Sequence, residues 1–342
     1  MEKKLISICI PTYNRPEELK RTLESIDTTK YDDVNIVISE NCSPKQKETR
    51  AIVEEFKNSS KYDVYYYENE KNIGYDKNIR ALIQRSKGQF SMFFSDDDMF
   101  MPGAMDAFVE FVREHQDCGY ILRSYRNYKE DGSYNDFRYY KEDKVFSAGK
   151  ETAMQMFDKS VFLSGFTIRT EYAKEYVTDA LDGSLLYQIY LVLEVCRRYP
   201  SAYSTILISK AVPISNNTHY FGECDEEKEL YKTGLKGADD RFNFALWYMK
   251  IIDYIELKYN DGFGQEFKKY MSKYSFSILS SARGNYLNWK QFIKYSAKLK
   301  QIGYGTSFYF YIYYYALLLL GKNICWKSIY FLKKIIGHRP NL

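Results

Sequence analysis

Over the first hundred residues, short apolar runs at 5–10, 34–39, 63–67 and 89–94 alternate with segments whose apolar positions recur every three to four residues. Runs of that length read as strands, and the longer period reads as helices with one buried face. Pro16 marks the first helix start, because proline's missing N–H costs nothing at a first helical position. Glu17 and Glu18 then oppose the helix dipole, and Leu19, Leu23 and Ile26 give the buried stripe. Residues 45–56 and 75–85 read as the next two helices. Strands alternating with helices of about 10–15 residues predict an α/β fold with a doubly wound, mainly parallel sheet flanked by helices.

Ligands of such sheets bind outside the carboxyl ends of the strands. All four predicted strands end in polar side chains: Pro11-Thr12-Tyr13-Asn14, Glu40-Asn41-Cys42-Ser43, the stretch from Glu68 to Gly74, and Ser95-Asp96-Asp97-Asp98. One polar strand end is a turn; four, rich in groups that bind ribose, base and metal, point to a nucleotide site. The last of them asks for a cation. Two unit charges ~4 Å apart repel by ~4 kcal/mol at an effective dielectric of ~20, so crowded carboxylates must be hydrated, protonated or bridged by metal. The plain alternative is a solvated acidic turn.

Farther along, a helix at 104–114, a strand at 120–128, a turn at Asp131-Gly132 and a helical stretch at 185–199 make a mixed region, and from about 225 the pattern is helical. At 342 residues the chain is long enough for two domains. Its 35 Tyr and 22 Phe exceed what one core needs and suit sugar or interfacial contacts. The six cysteines form no CxxC pair, which argues against a zinc site or a disulfide framework and for a reducing cytoplasm. Pro11 ends the first apolar run too early for a signal-peptide core.

Charge changes the picture of the tail. No Asp or Glu follows Glu266 while thirteen Lys and Arg do, so the front carries a net −9 and the tail +13. Such a tail is a footprint for phosphates. The adjacent apolar block 308–320 suits lipid and argues against nucleic acid as the partner; as a helix it reaches ~20 Å, short of a ~30 Å hydrocarbon core. Beyond it, Asn323, Lys327, Tyr330 and Lys334 share one helical face, and Cys325, Ile329, Leu332 and Ile336 the opposite one. This pattern predicts an interfacial helix with a basic rim, attached to an anionic membrane surface. The alternative is a helix packed on the protein itself or on a second subunit, which would make an oligomer.

Residues 7–16, 37–43, 72–78 and 94–98, in this order and spacing, resemble family 2 glycosyltransferases of the GT-A fold, of the bacterial surface-polysaccharide type. The resemblance, carried by about the first hundred residues, implies a GT-A domain; charge and periodicity place its end near 225, giving 1–224 with 1–100 as nucleotide-binding half and 101–224 as acceptor half, followed by a helical basic region, 225–342. It implies an inverting, metal-dependent enzyme that moves a sugar from a nucleotide sugar, foremost a UDP-sugar. The acceptor would be a hydroxyl of a lipid-linked polysaccharide or cell-surface glycan precursor at the inner face of the cell membrane.

By position, the resemblance puts Pro11, Thr12 and Tyr13 against the nucleoside, and Glu40 where the family carries an Asp that bonds the base. Asn72 and Gly74 fall under the nucleotide, and Lys77 or Arg80 stands in for the family's Arg-Asn pair at the diphosphate. Asp96, Asp97 and Asp98 match the acidic motif. Asp98 is the first choice as ligand of Mn2+ or Mg2+, ions that favour oxygen donors, and Asp96 faces ribose or metal. The general base is expected just before the 185–199 helix, at Asp182 or else Asp179, with Glu175 and Glu194 as further acids; an N-cap is the plain role for either Asp. His219 is a metal or diphosphate contact or a surface histidine, and Gly165 leaves room for an acceptor sugar. Two other classes are weighed. A sugar-phosphate nucleotidyltransferase would carry a glycine-rich loop after strand one, where this chain has none. A membrane-attached sugar-binding or scaffold protein would have no nucleotide affinity.

Overall fold

The computed structural model describes residues 3–26, 29–213, 220–225, 227–231, 233, 237–285 and 287–336, which fall into two compact units, Met1–Glu229 and Leu230–Leu342. The first unit opens with the alternation read from the sequence: β1 (Ile6–Thr12), α1 (Pro16–Glu24), β2 (Val34–Glu40), α2 (Gln46–Ser59), β3 (Asp63–Glu68), α3 (Tyr75–Arg85) and β4 (Phe90–Phe93). It continues through β5 (Met99–Phe100), α4 (Met105–Glu114), β6 (Tyr120–Tyr128), β7 (Tyr134–Phe137), β8 (Lys144–Phe146), α5 (Lys150–Phe157), β9 (Phe166–Arg169), α6 (Thr170–Glu175), α7 (Tyr187–Arg198) and β10 (Ser201–Ala211).

One sheet takes all these strands in the order β3-β2-β1-β4-β9-β6-β10-β5, with β7 on β6 and β8 on β10. The flanked sheet expected from the sequence is present, with a parallel core and antiparallel additions. β3, β2, β1 and β4 are mutually parallel, and so are β6 and β10, but β9 runs antiparallel between β4 and β6, and β5, β7 and β8 are antiparallel additions. The chain reaches β9 from α5 and enters it against the direction of β4 and β6, which makes the sheet mixed. The central strands are buried on both faces: Ile6, Ile8, Ile10, Ile36 and Ile38 are inaccessible on one, and Ser7, Cys9, Asn35 and Val37 on the other.

Register fixes the site. Thr12, Glu40 and Glu68 stand level at the ends of β1, β2 and β3. β4 makes its last pair lower, Phe93 with Cys9, so the chain beyond it fills the step with the acidic residues.

The second unit is helical: α8 (Ala238–Tyr259), α9 (Phe263–Lys273), α10 (Phe276–Asn285), α11 (Trp289–Gln301) and α12 (Phe308–Ile336). Gly321, at φ 73 and ψ 172, breaks α12 into two segments. The ring of Phe276 on α10 lies edge-on to Tyr313 and Trp326, one from each segment, at 5.4 and 5.6 Å. Of the helical face expected to be apolar and lipid-facing, Cys325 is buried and Ile329 half-buried. The side chains of Tyr330, Leu332, Lys334 and Ile336 lie outside the described residues.

Candidate functional site

The step between β1 and β4 is a charged knot. Asp96 and Asp98 are buried. Asp96 accepts from Thr12 Oγ1 at 2.8 Å and Tyr13 N at 3.4 Å, and pairs with Arg15 Nη1 at 3.2 Å. Asp97 pairs with the same nitrogen at 2.7 Å and accepts from Ser95 Oγ at 2.5 Å. Asp98 accepts from Ser164 Oγ at 2.5 Å, and Thr22 Oγ1 lies 2.6 Å from its carbonyl oxygen. Burial pushes the Asp96 carboxyl up to about 6, with Arg15 opposing and Asp97 adding to the rise. Burial, then the charges of Asp97 and Asp96, lift Asp98 well above the usual carboxylate range. Three carboxylates against one guanidinium leave surplus negative charge in a site poor in water, which is the condition a cation relieves. The donors are all oxygens and fit Mg2+ or Mn2+. Among the described residues no three acids, histidines or cysteines are gathered as a closed metal cage, so a bound ion would need oxygens from its ligand as well.

Beside the knot lies a small cavity of about 140 Å³, lined among others by Pro11, Thr12, Tyr13, Asn72, Gly74 and Asp96. Its floor is an amide network. Asn41 Nδ2 donates to Asn72 Oδ1 at 2.9 Å, Asn69 Nδ2 donates to Asn41 Oδ1 at 2.9 Å, and Ser39 Oγ donates to Asn78 Oδ1 at 2.5 Å. Asn72 Oδ1 also accepts from Gly74 N at 2.9 Å, which shapes the turn into α3. Gly74 has φ 78 and ψ 172, a conformation all but confined to glycine.

The roof is made by residues 220–225 and 227. Tyr13 Oη donates to Glu223 at 2.6 Å, Tyr13 meets Tyr220 edge-on at 5.8 Å, and the Arg15 guanidinium lies 5.6 Å from the Tyr220 ring. The buried Glu227 carboxylate accepts from Tyr75 N at 2.7 Å, at the start of α3, and from Gly222 N at 3.1 Å. A Cβ on Gly74 would meet Cys224 Sγ at 2.7 Å and Glu227 Oε1 at 2.8 Å.

A second cavity, about 470 Å³, lies beyond the knot and shares Ser95 and Leu163 with the first. Asp97, Asp98, Asp158, Tyr125, Tyr139 and Phe162 line it. Tyr125 stacks on Phe162 at 4.1 Å, and buried Arg123 braces the wall by donating to the carbonyls of Lys159, at 2.9 Å, and Phe162.

Several expected residues sit elsewhere. Glu40 is buried and its carboxylate turns back on its own loop, accepting from Cys42 N at 2.8 Å, Ser43 N at 2.9 Å and Gln46 Nε2 at 2.9 Å; it does not line the first cavity. Asp182 is clasped by Arg80, with Nη1 2.7 Å from Oδ1 and Nη2 3.0 Å from Oδ2, and Lys77 Nζ stands 3.9 Å away. Burial raises the Asp182 carboxyl while Arg80 opposes it. Asp182, Asp179 and Lys77 line neither cavity; Asp182 is held by Arg80 and Lys77 of α3, and Asp179 is exposed. Glu194 is buried within α7, and Glu175 accepts from Tyr199 Oη at 3.5 Å. The space at Gly165, φ 86, is taken by protein: a Cβ there would meet Ile208 Cγ2 at 2.7 Å and Arg123 Cγ at 3.0 Å, so it leaves no room for a sugar. His219 lies outside the described residues.

Arg15, Asn41 and Asn78 lie inside the segments 7–16, 37–43 and 72–78 but are given no role by the sequence alone, and Asp158 and Glu227 carry no signal there, because their place depends on which chain segments meet.

Comparison with known proteins adds to this geometry. The family model described as Glycosyl transferase family 2 matches residues 7–169. The chain is 36% identical over 96 residues to the abequosyltransferase RfbV of Salmonella typhimurium, covering 28% of each protein. It is 24% identical over 109 residues to a GalNAc(5)-diNAcBac-PP-undecaprenol beta-1,3-glucosyltransferase of Campylobacter jejuni, covering 32% of this chain and 35% of that one. These alignments span about a third of the relatives' own lengths. Among solved structures, S. aureus TarS 1-349 in complex with UDP-GlcNAc superposes with a TM-score of 0.52 at 14% identity, covering 91% of each chain. Mannosyltransferase PcManGT from Pyrobaculum calidifontis, in complex with GDP-Man and Mn2+, gives 0.51 at 12% identity, covering 94% of this chain and 88% of that one. At such identities the two superpositions speak for a shared GT-A fold alone.

Proposed function

Since residues 7–169 belong to glycosyl transferase family 2, we propose that this protein transfers a sugar from a nucleotide sugar, foremost a UDP-sugar, to a hydroxyl of a lipid-linked or cell-surface glycan precursor. The observation that carries the reading is the buried knot of Asp96, Asp97 and Asp98 standing between two cavities. The donor's nucleotide takes the first, against Pro11, Thr12, Tyr13, Asn72 and Gly74. The acceptor takes the second, where aromatic rings and carboxylates together suit a pyranose.

Transfer with inversion is written as one displacement. The acceptor oxygen bonds to the anomeric carbon while its proton passes to a carboxylate, and the bond from that carbon to the diphosphate breaks, its electron pair leaving with the nucleoside diphosphate. Asp98, with Asp96, would hold a divalent cation, which when bound neutralises charge on the leaving diphosphate. For the proton acceptor we place Asp158 ahead of Asp182 and Asp179, because Asp158 faces the second cavity together with Asp97 and Asp98. Arg80 holds Asp182 on both oxygens. Glycan precursors as acceptors are supported by similarity to the Campylobacter jejuni GalNAc(5)-diNAcBac-PP-undecaprenol beta-1,3-glucosyltransferase and to a putative teichuronic acid biosynthesis glycosyltransferase of Bacillus subtilis. We read the site of action as the inner face of the cell membrane, where such acceptors are held. Among the described residues no helix is long and apolar enough to cross it.

A screen of UDP-, dTDP-, GDP- and CDP-sugars, reading nucleoside diphosphate release with Mn2+ or Mg2+, tests the reading. Release from at least one donor is expected. Silence across the panel, or pyrophosphate formation from a nucleoside triphosphate and a sugar phosphate, would overturn it. With the donor in hand, Asp158→Asn should abolish transfer and spare donor binding, whereas retained transfer moves the base elsewhere.

A further inference from the structure

Residues 308–320 of α12 present two opposite apolar faces, and only one is covered. Phe310 and Leu317 are buried, and Phe292 of α11 stacks on Tyr314 at 5.8 Å. About 180° away at 100° per residue, Phe308, Ile312, Tyr315 and Leu319 form a single stripe. These four are 75, 44, 56 and 79% exposed. Beyond the break at Gly321 the exposed apolar surface continues in Ile324 and Phe331. Four large side chains in one row, unlike scattered surface hydrophobics, mark a surface meant to be covered.

Charge says by what. The surroundings of the stripe are basic: Lys273 Nζ lies 5.8 Å from the Tyr309 ring, Lys300 Nζ lies 5.5 Å from the Tyr311 ring, and Lys327 is exposed between Ile324 and Phe331. No acidic residue follows Glu266, so none lies on α10, α11 or α12 to offset them. A like copy of this surface would meet cation with cation. A bilayer carrying anionic headgroups offers apolar depth to the stripe and counter-charge to its rim. The break at Gly321 lets the second segment leave the axis of the first, as an element lying along a surface requires.

We propose that the row Phe308, Ile312, Tyr315 and Leu319 is the surface by which this protein lies on an anionic membrane. This rests on the glycosyltransferase reading only for its purpose, which is to bring the catalytic unit to a lipid-linked acceptor. It also relocates the contact from the face of Cys325 and Ile329 to the first segment of α12.

The full chain is centrifuged with vesicles of phosphatidylcholine alone and of phosphatidylcholine mixed with phosphatidylglycerol, as wild type and as the double variant Ile312→Asp, Leu319→Asp. Both positions are exposed, and an unchanged melting temperature serves as the check that the variant folds. The expected result is partition onto the phosphatidylglycerol vesicles that weakens with salt and falls by about tenfold or more in the variant. Wild type that ignores both vesicles, or a variant that binds as wild type does, would overturn the proposal. So would a wild-type dimer in light scattering that the variant breaks without any vesicle binding in either protein. Nucleotide release is read on the same preparations. Its absence beside intact vesicle binding counts against the transferase reading alone, and its presence beside absent vesicle binding counts against the membrane surface alone.

Discussion

Single side chains in this site are understood by asking where each buried charge finds its partners. Glu40 is the clearest instance. It was expected to reach a nucleotide base, yet a carboxylate that is inaccessible at a strand end takes the nearest donors, here the N–H groups of Cys42 and Ser43. Glu40→Ala should therefore lower stability by about 2–3 kcal/mol in urea unfolding, since two amide donors lose their acceptor. Asp76 is comparable. It accepts from Ser184 Oγ at 3.2 Å, Leu185 N at 3.0 Å and Tyr187 N at 3.3 Å, so it caps α7 from across the fold. Burial pushes its carboxyl up to about 7, the Leu185 N–H opposing. A carboxyl raised in the fold contributes stability that is fully present below its unfolded value, near 4, and lost as pH rises through about 7. The stability advantage of wild type over Asp76→Asn should accordingly shrink between pH 4 and 7 and level off above, as measured by denaturant unfolding across that range; an advantage that grows with pH would refute it. The sequence named Asp96, Asp98, Asn72 and Gly74 because their spacing along one strand end or loop is itself the signal. Glu40 and Asp182 make bonds the sequence did not foretell, because a carboxylate's partners lie partly outside its own motif.

Elements show the same division. Four strands and three helices of the first hundred residues were legible, since strand-length runs and helical periods follow directly from burying one face or two. The antiparallel insertion of β9 was not, because four residues of Phe166–Arg169 carry no mark of direction. Tyr220, Glu223 and Glu227 were also silent in sequence: they roof the first cavity, yet are side chains ordinary in any loop. Gly74 is where this roof comes closest to the start of α3. Gly74→Ala combines a φ of 78 with contacts under 3.0 Å, and should cost about 1–3 kcal/mol of stability and displace Glu227. Thermal unfolding checks the first effect. An Ala variant as stable as wild type would show that the turn relaxes freely.

At the scale of the molecule, every residue lining the two cavities belongs to the unit Met1–Glu229. Residues 1–229 expressed alone should bind nucleotide within about threefold of the full chain, because a unit with its own core folds as a domain; loss of that affinity in a folded fragment would mean that Leu230–Leu342 helps to form the site. The charge division of the sequence, −9 ahead of +13, does not tell which face of α12 is exposed. That depends on how Phe276 and Phe292 cover the helix, a packing matter invisible to periodicity in a segment apolar all round. The central claim remains that Asp96, Asp97 and Asp98 serve a nucleoside diphosphate. It is tested most directly by titration calorimetry of UDP, dTDP, GDP and CDP, with Mn2+ and after its removal, on wild type and on Asp98→Asn. At least one nucleotide should bind wild type in Mn2+, with affinity about tenfold lower or worse without the ion and in the variant; no binding of any nucleotide by wild type, with or without Mn2+, would contradict the account.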